Sequence, residues 1–394
     1  MGILRKIHYL CAEKRIDFYM ITRRIEEIIR KQLFGGRAII IMGARQVGKT
    51  TLLRQLLASE NDVLWMSGDD PDVCSLFENI TSTRLKAIIG TARLVVIDEA
   101  QRISNVGIKL KLITDQIPEV QLLASGSSSF DLAHKINEPL TGRKWEYKLY
   151  PLSFAELVNS TNLLEEKRMV PHRMVYGCYP TVVTHPGNEV AILKELTQSY
   201  LYKDILEFDK IHKPDKLAKL LQAIAYQVGS EVSFNELAQL CDLDAKTVAN
   251  YVTILEQAYI VFRLGSFSRN LRNELKSSRK IYFFDNGIRN AIIGNFAQVE
   301  NRDDVGALFE NYVIAECVKR KEYTGDYANS WFWRNTAKQE IDYIEEKDGQ
   351  IDAFELKWNP KRKCSSPLSF RNAYPNATFT VIHRDNIEDL LLFR

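Results

Sequence analysis

The chain has 394 residues, of which 45% are hydrophobic and 26% are charged, with 53 Lys and Arg against 50 Asp and Glu. Since one domain usually takes about 100–200 residues, this length predicts about two to four domains with cores of their own. Because the charges nearly balance, overall charge alone does not indicate binding to nucleic acid. Binding through a local basic cluster stays open.

The six cysteines are scattered, without CxxC spacing, without matching histidines and without the pattern of a disulfide framework. Runs of about eighteen apolar residues, which a membrane-spanning helix needs, do not occur. The first residues carry charges where a signal peptide has an apolar core. We therefore expect a cytoplasmic protein with reduced thiols and no membrane partner.

A glycine-rich loop follows a short apolar run, residues 38–42, and precedes a helical pattern, residues 51–57. Its spacing predicts a phosphate-binding loop, in which curled backbone N–H groups face the β-phosphate. Lys49 would place its charge on the β- and γ-phosphates, and Thr50 would bind Mg²⁺. The predicted ATP-binding residues are Gly43, Ala44, Arg45, Gln46, Val47, Gly48, Lys49, Thr50 and Thr51.

Short apolar runs alternate with helical patterns beyond this loop, at residues 63–66, 94–97 and 120–124. The alternation predicts an α/β fold with a parallel sheet. Asp98 and Glu99 end the run at 94–97, which places both carboxylates at the sheet edge beside the phosphate loop. Asp98 would hold Mg²⁺ through water, and Glu99 would orient the water that attacks the γ-phosphate. The pair therefore predicts hydrolysis of ATP as well as binding.

Ser125 begins a run of serines at the end of the next predicted strand. In the strand order typical of such ATPases, this strand lies between the other two, so the Ser125 hydroxyl can sense the γ-phosphate. The alternative is a loop that serines simply fill.

Four stretches, residues 43–50, 94–101, 124–129 and 140–157, together resemble the bacterial and archaeal AAA-type ATPases that carry a C-terminal domain of unknown function. The family usually has Thr where this chain has Ser125, a conservative departure. The resemblance also makes Arg143 a candidate for contacting a γ-phosphate, in its own subunit or a neighbour's. A structural arginine that bonds carbonyl groups in a turn is the alternative, so homo-oligomerisation stays open.

Residues 158–215 are predicted to form a helical lid, interrupted at Pro171, Pro180 and Pro186. Two short helical patterns, a tight turn and a strand pair follow within residues 216–285, which predicts a winged helix-turn-helix module. The second helix carries a single lysine, Lys246, where a DNA-binding helix usually has several cations. A basic cluster follows where a wing would lie, consisting of Arg263, Arg269, Arg272, Lys276, Arg279 and Lys280. DNA contact and a packing role between domains both stay open.

The last part of the chain carries a second group of charged residues. A helical pattern over 305–319 bears Glu310, and two predicted strands, 340–344 and 351–357, flank a turn. Alternation puts Glu355 and Lys357 on one face of the second strand, where Asp342 of the neighbouring strand can meet them. Such a group could hold a divalent metal, with Lys357 steering a nucleophilic water or a phosphate.

This arrangement resembles the restriction-endonuclease-like fold, in which an acid is followed by Glu-x-Lys and preceded by a helical Glu. The resemblance implies that Glu310, Asp342 and Glu355 bind a second Mg²⁺ or Mn²⁺, and that Asp342, Glu355 and Lys357 are catalytic. The same fold also serves as an inert binding platform, and charges on a solvated strand face would show the same pattern.

The sequence as a whole predicts an ATPase that couples Mg-ATP hydrolysis to a nuclease-like domain acting on DNA or RNA. The alternative is a nucleotide-dependent switch, or a DNA-binding regulator, whose C-terminal domain is inert and docks a protein partner. The predicted parts are an N-terminal extension (1–19), a P-loop ATPase core (20–157), a helical lid (158–215), a winged-helix module (216–285) and a small α/β restriction-endonuclease-like domain (286–394).

Overall fold

The computed structural model describes residues 21–127, 140–199, 213–268, 279–362 and 364–394. The predicted extension and three cations of the predicted wing, Arg269, Arg272 and Lys276, lie outside these ranges. Within them, helices pack around two separate β-sheets.

The first sheet has five strands, all parallel, in the order β2-β3-β4-β1-β5. Its strands are β1 (Ala38–Met42), β2 (Val63–Ser67), β3 (Leu94–Asp98), β4 (Gln121–Gly126) and β5 (Lys144–Lys148). The three inner strands are buried at every position, as expected for a parallel sheet covered on both faces. The predicted parallel sheet is confirmed, with β4 between β3 and β1.

Five helices accompany this sheet: α1 (Ile25–Gln32), α2 (Lys49–Leu56), α3 (Pro71–Glu78), α4 (Ser82–Ile89) and α5 (Val106–Gln116). Local sequence sets where two of them begin. The side chains of Asp70 and Thr81 accept hydrogen bonds from backbone N–H groups in the first turns of α3 and α4. Helix α1 buries Ile25 and Ile29 against the core, as its 3.6-residue period predicts.

The described residues of the predicted lid, 158–199 and 213–215, are mostly helical. They fall within α6 (Phe154–Ser160), α7 (Leu163–Tyr176), α8 (Pro180–Thr184), α9 (Glu189–Ser199) and the start of α10 (Pro214–Tyr226). The predicted break at Pro171 is wrong, because this residue lies inside α7. Val170 and Met174 of the same helix are fully buried, and this packing offsets the hydrogen bond that proline removes.

The second sheet has seven strands in the order β12-β11-β10-β9-β7-β8-β6. These strands are β6 (Glu231–Val232), β7 (Val261–Ser266), β8 (Arg279–Phe283), β9 (Asn329–Arg334), β10 (Glu340–Lys347), β11 (Gln350–Leu356) and β12 (Thr378–Ile382). The remaining helices are α11 (Phe234–Cys241), α12 (Ala245–Gln257), α13 (Asn286–Ile293), α14 (Val305–Thr324), α15 (Leu368–Ala373) and α16 (Ile387–Leu391). The pairs β7–β9 and β11–β12 are parallel, and the other pairs are antiparallel.

This sheet runs across the predicted boundary between residues 285 and 286. Strand β7, from the predicted winged-helix module, pairs with β9 of the predicted last domain through Gly265 and Trp331. Pairing between strands so far apart leaves no mark on local periodicity, so the sequence could not indicate it. The two predicted modules therefore share one layer.

Among the described residues, no helix is long and apolar enough to cross a membrane. The described cysteines are Cys74, Cys178, Cys241, Cys317 and Cys364, and each is a free thiol in the structure.

Gly287 offers a test of how tightly α13 packs against α7. A Cβ atom at this position would lie 2.2 Å from the backbone carbonyl oxygen of Tyr176, so the backbone would have to move. We expect Gly287→Ala to lower the free energy of unfolding by about 1–3 kcal/mol, measured by urea denaturation. Gly306→Ala in α14 is the matched control, because a Cβ there meets no atom within 4 Å. Equal effects of the two substitutions would contradict the packing described.

Candidate functional site

The loop between β1 and α2 is curled as a phosphate cradle. Gly48 has φ of 95° and Gln46 has φ of 58°, both in the left-handed region. A Cβ on Gly43 would lie 2.1 Å from the carbonyl oxygen of Leu149, so only glycine fits there. The N-terminus of α2 points its free N–H groups into this curve, where an anion is favoured.

The Lys49 ammonium lies inside this loop. Its Nζ atom donates to the carbonyl oxygens of Gly43 at 3.0 Å and Ala44 at 2.9 Å. The side chain is buried, so its charge is available only to groups that enter the cradle. Phosphate oxygens placed there would compete with the two carbonyls for the same ammonium.

Asp98, the last residue of β3, contacts Thr50 at the start of α2, Ser125 near the end of β4 and its own neighbour Glu99. Its Oδ2 accepts from the Thr50 hydroxyl at 2.7 Å, and its Oδ1 accepts from the Ser125 hydroxyl and from the Glu99 N–H at 3.1 Å. All three partners are neutral donors. Thr50 and Asp98 therefore fit a Mg²⁺ ion bound with a nucleotide. The structure brings these predicted residues together.

Glu99 follows Asp98 with φ of 48°, in the left-handed region. Its Oε2 accepts from Gln101 Nε2 at 2.5 Å, and the same nitrogen donates to Ser127 Oγ at 2.8 Å. Gln101 thus ties Glu99 to the end of β4. Gln101 is not among the predicted site residues, although it lies two residues beyond Glu99.

Arg143 lies away from the loop. Its carbonyl accepts from Ala38 N–H at the start of β1, and its Nε donates to Asp115 at 2.6 Å. Since five strand residues span about 16 Å, Arg143 is at the opposite edge of the sheet from the cradle. Contact with a γ-phosphate in its own subunit does not fit this position. The alternative of a contact in a neighbouring subunit stays a prediction.

Arg23 forms a buried network beside the loop that sequence reasoning missed. Its Nη1 donates to the Val47 carbonyl of the loop at 2.7 Å, and its Nε pairs with Glu156 at 3.0 Å. Its Nη2 donates to the Tyr150 carbonyl at 2.6 Å and to the Tyr323 hydroxyl of α14 at 3.3 Å. Burial lowers the pKa of Arg23, but Glu156 and the Tyr323 hydroxyl together outweigh this effect and raise it.

Glu156 has two tasks in this network. Its Oε2 accepts from the backbone N–H of Ser153 as part of the capping box of α6, and its Oε1 accepts from Arg23 and from the backbone of Arg24. The Ser-x-x-Glu spacing indicates the cap in sequence. Nothing local indicates the arginine, which is 133 positions away.

A small pocket lies directly beside the loop on the side of α1 and α8. Arg23 is among its lining residues, and most of the others are apolar or small; they are Ile21, Val47, Gly48, Thr51, Leu52, Gln55, Leu152, Pro180 and Thr184. It therefore borders the phosphate loop and the first turn of α2.

The second predicted group of residues lies at the open end of the β10–β11 hairpin, away from its turn. The register Tyr343 to Phe354 sets Asp342 opposite Glu355. Lys357 Nζ lies 3.1 Å from Asp342 Oδ2 and 2.7 Å from Glu355 Oε1. Asp342 Oδ2 also accepts from the Leu356 N–H at 2.8 Å. Burial, together with the charge of Asp342, raises the pKa of Glu355.

Glu310 belongs to the same centre, with two neighbours that we did not predict there. Its Oε1 lies 2.9 Å from Lys280 Nζ and accepts from the Tyr282 hydroxyl at 2.6 Å, and Lys280 also pairs with Glu340. Burial raises the pKa of Glu310 to about 7, against the lowering effect of Lys280. Glu340 precedes Asp342 by two residues, a spacing from which strand alternation alone could have placed both side chains on one face. We call Lys280, Glu310, Glu340, Asp342, Glu355 and Lys357 the acidic centre.

The predicted second metal site is not supported by this arrangement. Within the described ranges, no three His, Cys, Asp or Glu side chains are grouped so that they could hold a metal ion. In the acidic centre, ammonium groups stand between the carboxylates. The predicted ligands Glu310, Asp342 and Glu355 are close together, but lysines already pair with each of them.

Three cations of the predicted basic wing lie in the described residues, and each contacts other side chains of the chain instead of forming an open basic surface. Arg263 is paired with Glu256, with Nε to Oε1 at 2.7 Å. The Arg279 guanidinium lies 5.2 Å from the Phe234 ring centroid, and Lys280 is buried in the acidic centre. These three cations of the predicted cluster are therefore engaged inside the chain.

The raised pKa of Glu310 predicts a pH effect on stability. The ordinary pKa of a glutamate is 4.5. Between pH 4.5 and about 7, Glu310 therefore keeps its proton in the folded protein and loses it in the unfolded chain. The resulting stabilisation is complete below about pH 4.5 and is lost as the pH rises through about 7. We expect the free energy of unfolding of the wild type to fall over this range relative to Glu310→Gln, measured by urea denaturation. Glu300→Gln, at an exposed glutamate, is the control; parallel curves for all three proteins would contradict the prediction.

Three family models match consecutive parts of the chain. Residues 35–158 match an AAA domain, residues 167–299 match a domain of unknown function (DUF8612), and residues 305–389 match another domain of unknown function (DUF4143). The AAA match contains the cradle, Asp98, Glu99 and Ser125. The restriction-endonuclease-like assignment of the last part stays a prediction, because its match carries no activity.

Relatives of similar length are known in several microorganisms. An uncharacterised protein of Mycobacterium tuberculosis is 25% identical over 349 residues, which cover 87% of this chain and 75% of the relative. An uncharacterised protein of Haemophilus influenzae is 26% identical over 342 residues, 79% of this chain and 80% of the relative. These similarities extend beyond the ATPase domain and assign no activity to the rest.

One solved structure has a similar fold over most of the chain. The Walker-type ATPase of Pyrococcus abyssi superposes with a TM-score of 0.51 at 13% sequence identity, covering 70% of this chain and 96% of that chain. With the AAA match and the cradle geometry, this likeness confirms the predicted nucleotide fold. Residues 35–158 therefore form a P-loop domain of the AAA type, a class of ATPase domain that uses ATP and Mg²⁺.

Proposed function

We propose that this protein is an ATP-driven switch, in which the state of the phosphate loop is passed to the C-terminal part of the chain through Arg23. The observation that carries the proposal is the sharing of one buried guanidinium between Val47 of the loop and Tyr323 of α14. A nucleotide-dependent change at the first partner alters the geometry available to the second.

The chemistry at the loop follows from the residues that surround it. Bound Mg²⁺ would supply charge neutralisation on the phosphates, with Thr50 and Asp98 positioned to hold it. Lys49 would contact the β- and γ-phosphates from inside the cradle. Glu99, oriented by Gln101, would align the water for in-line attack. The small pocket beside Thr51 would hold the ribose and base.

Two features link nucleotide occupancy to Arg23. Phosphate binding recruits the loop N–H groups and draws the Lys49 ammonium from the carbonyls of Gly43 and Ala44, so the loop backbone must adjust. Val47 lies in the same loop, and its carbonyl is bonded to Arg23. Arg23 also lines the small pocket, so a bound nucleoside would be its neighbour.

Arg23 cannot lose a partner without a cost, which makes it a suitable coupling element. The side chain is buried, and an unpaired buried charge or donor destabilises by about 1–3 kcal/mol or more. Coupling free energies between sites are typically about 1–3 kcal/mol, the same scale as one such hydrogen bond. Movement of Val47 would therefore shift the balance of contacts at Tyr150 and Tyr323.

Tyr323→Phe tests the coupling, because it removes only the hydroxyl that accepts from Arg23 and from the Tyr150 N–H. We expect a non-hydrolysable ATP analogue with Mg²⁺ to change hydrogen exchange in the last turns of α14 in the wild type. In Tyr323→Phe this change should fall at least threefold while analogue binding is retained. Tyr327→Phe is the matched control, since its exposed hydroxyl bonds Asp348 on the surface.

Nucleotide binding that leaves exchange in α14 of the wild type unchanged would rule out the switch. The same result would leave the ATPase assignment intact, because hydrolysis is measured separately.

A nuclease is the second candidate function. The observation that favours it is the pairing of Lys357 with both Asp342 and Glu355 across one hairpin, the arrangement that resembles a restriction-endonuclease-like centre. The test is incubation of single- and double-stranded DNA and RNA with Mg²⁺ or Mn²⁺, with and without ATP. Cleavage that disappears in Asp342→Asn would support it, and no cleavage of any substrate would exclude it for these classes.

Two substitutions separate nucleotide binding from hydrolysis at the loop. Lys49→Ala removes the ammonium from the cradle, and we expect ATP turnover to fall at least 100-fold (about 3 kcal/mol) with weaker binding. Glu99→Gln keeps the side-chain size but removes the carboxylate, so ATP should still bind while turnover falls at least tenfold. Release of inorganic phosphate and equilibrium binding of ATP are the measurements. Lys86→Ala, at an exposed lysine of α4, should match the wild type; unchanged turnover in Lys49→Ala would refute the assigned site.

A further inference from the structure

The acidic centre contains the carboxylates that a metal site needs, but other groups already contact their oxygens. A divalent ion needs several carboxylate oxygens that face one point without another cation between them. Here Glu310 Oε1 is shared by Lys280 and the Tyr282 hydroxyl, and Asp342 Oδ2 is shared by Lys357 and the Leu356 N–H. The residues present therefore do not fit the metal that the restriction-endonuclease-like resemblance implies.

Lys280 is the unusual member of this group. It comes from β8, a strand that lies outside the hairpin, and its side chain is 1% exposed. An ammonium at such depth loses its hydration, which must be replaced by charged partners. Glu310 from α14 and Glu340 from β10 supply them, so Lys280 connects three elements of the fold.

The surroundings of Lys280 hold it in this position. The ring of Phe332 lies 5.4 Å from its Nζ, and β8 is paired on both sides, with β6 through Glu231 and with β7. Glu340 has a further partner in Arg334, whose Nε lies 3.7 Å from Oε2. The cations around the centre thus come from the chain itself.

We propose that the Lys280 ammonium is the resident cation of the acidic centre and takes the place of a divalent ion there. The wild-type centre is therefore closed to Mg²⁺ and Mn²⁺ at physiological concentrations, and it works as a fixed ion-pair joint between β8, β10 and α14. This inference does not depend on the ATP switch, since none of these six residues belongs to the phosphate loop. It is the alternative to the nuclease candidate, which needs a divalent ion at Asp342 and Glu355.

A resident cation and an ordinary structural lysine predict different results when the lysine is removed. If Lys280 replaces a metal, its loss removes the ammonium partner of Glu310 and one of the two cations at Glu340, and a divalent ion can take its place beside Asp342. If it is only one ion pair among others, its loss destabilises the fold and creates no metal affinity.

The test is titration of Mn²⁺ into nucleotide-free protein, followed by electron paramagnetic resonance of the free ion. The proteins are the wild type, Asp342→Asn, Lys280→Met and the double variant Lys280→Met with Asp342→Asn. We expect Mn²⁺ binding of the wild type to be the same as that of Asp342→Asn. Lys280→Met should bind one additional Mn²⁺ at least tenfold more tightly than the wild type, and the double variant should lose it. Lys86→Met, at an exposed lysine, is the control.

Thermal unfolding keeps the test decisive if Lys280→Met is unstable. Millimolar Mn²⁺ should raise the unfolding midpoint temperature of Lys280→Met and leave that of the wild type unchanged, because a ligand stabilises only the state that binds it. Wild-type Mn²⁺ binding that disappears in Asp342→Asn would overturn the proposal, even if Lys280→Met never folds. A folded Lys280→Met that gains no Mn²⁺ affinity would overturn it as well.

Discussion

A buried charge must be paired, and in this protein the pairing of Arg23 determines how three parts of the chain meet. The guanidinium contacts the phosphate loop, the turn after β5, the cap of α6 and the far end of α14. Removing one partner of such a charge typically costs about 3–5 kcal/mol, more than most single contacts. Arg23 therefore links the phosphate loop to Tyr323, which lies 300 residues beyond Arg23 along the chain.

The nucleotide half of the fold could be predicted because its signals are local. The cradle, Lys49 and Thr50 are contiguous, and Asp98 and Glu99 end a run of apolar residues, so short spacings were enough. The β10–β11 hairpin was predictable for the same reason, since alternation assigns Glu355 and Lys357 to one face. Their distances to Asp342 agree with that expectation.

What the sequence could not indicate depends on contacts between distant segments. Arg23 stands in an ordinary amphipathic pattern, and Lys280 was grouped with a basic cluster because its neighbours in sequence are cations. In the fold, β8 turns Lys280 inward toward carboxylates from two other elements. Arg143 was misleading in the same way, because proximity in sequence to a conspicuous stretch does not say which edge of the sheet it occupies.

The two carboxylate groups of the protein differ in what neutralises them. Asp98 is surrounded by hydroxyl and N–H donors, which orient it and leave its charge for a bound ion. Asp342 and Glu310 are each paired with an ammonium group, which supplies the positive charge instead. The carboxylates of the two centres thus support opposite predictions for metal binding.

The parallel pairing of β7 with β9 decides how the protein can be divided for study. A cut between residues 285 and 286 would split the second sheet and leave an open strand edge on each fragment. Open edges present unpaired N–H and C=O groups that recruit other chains, so the separated halves would be prone to aggregate. The C-terminal half of this protein is consequently a single unit for expression, although its sequence matches two different families.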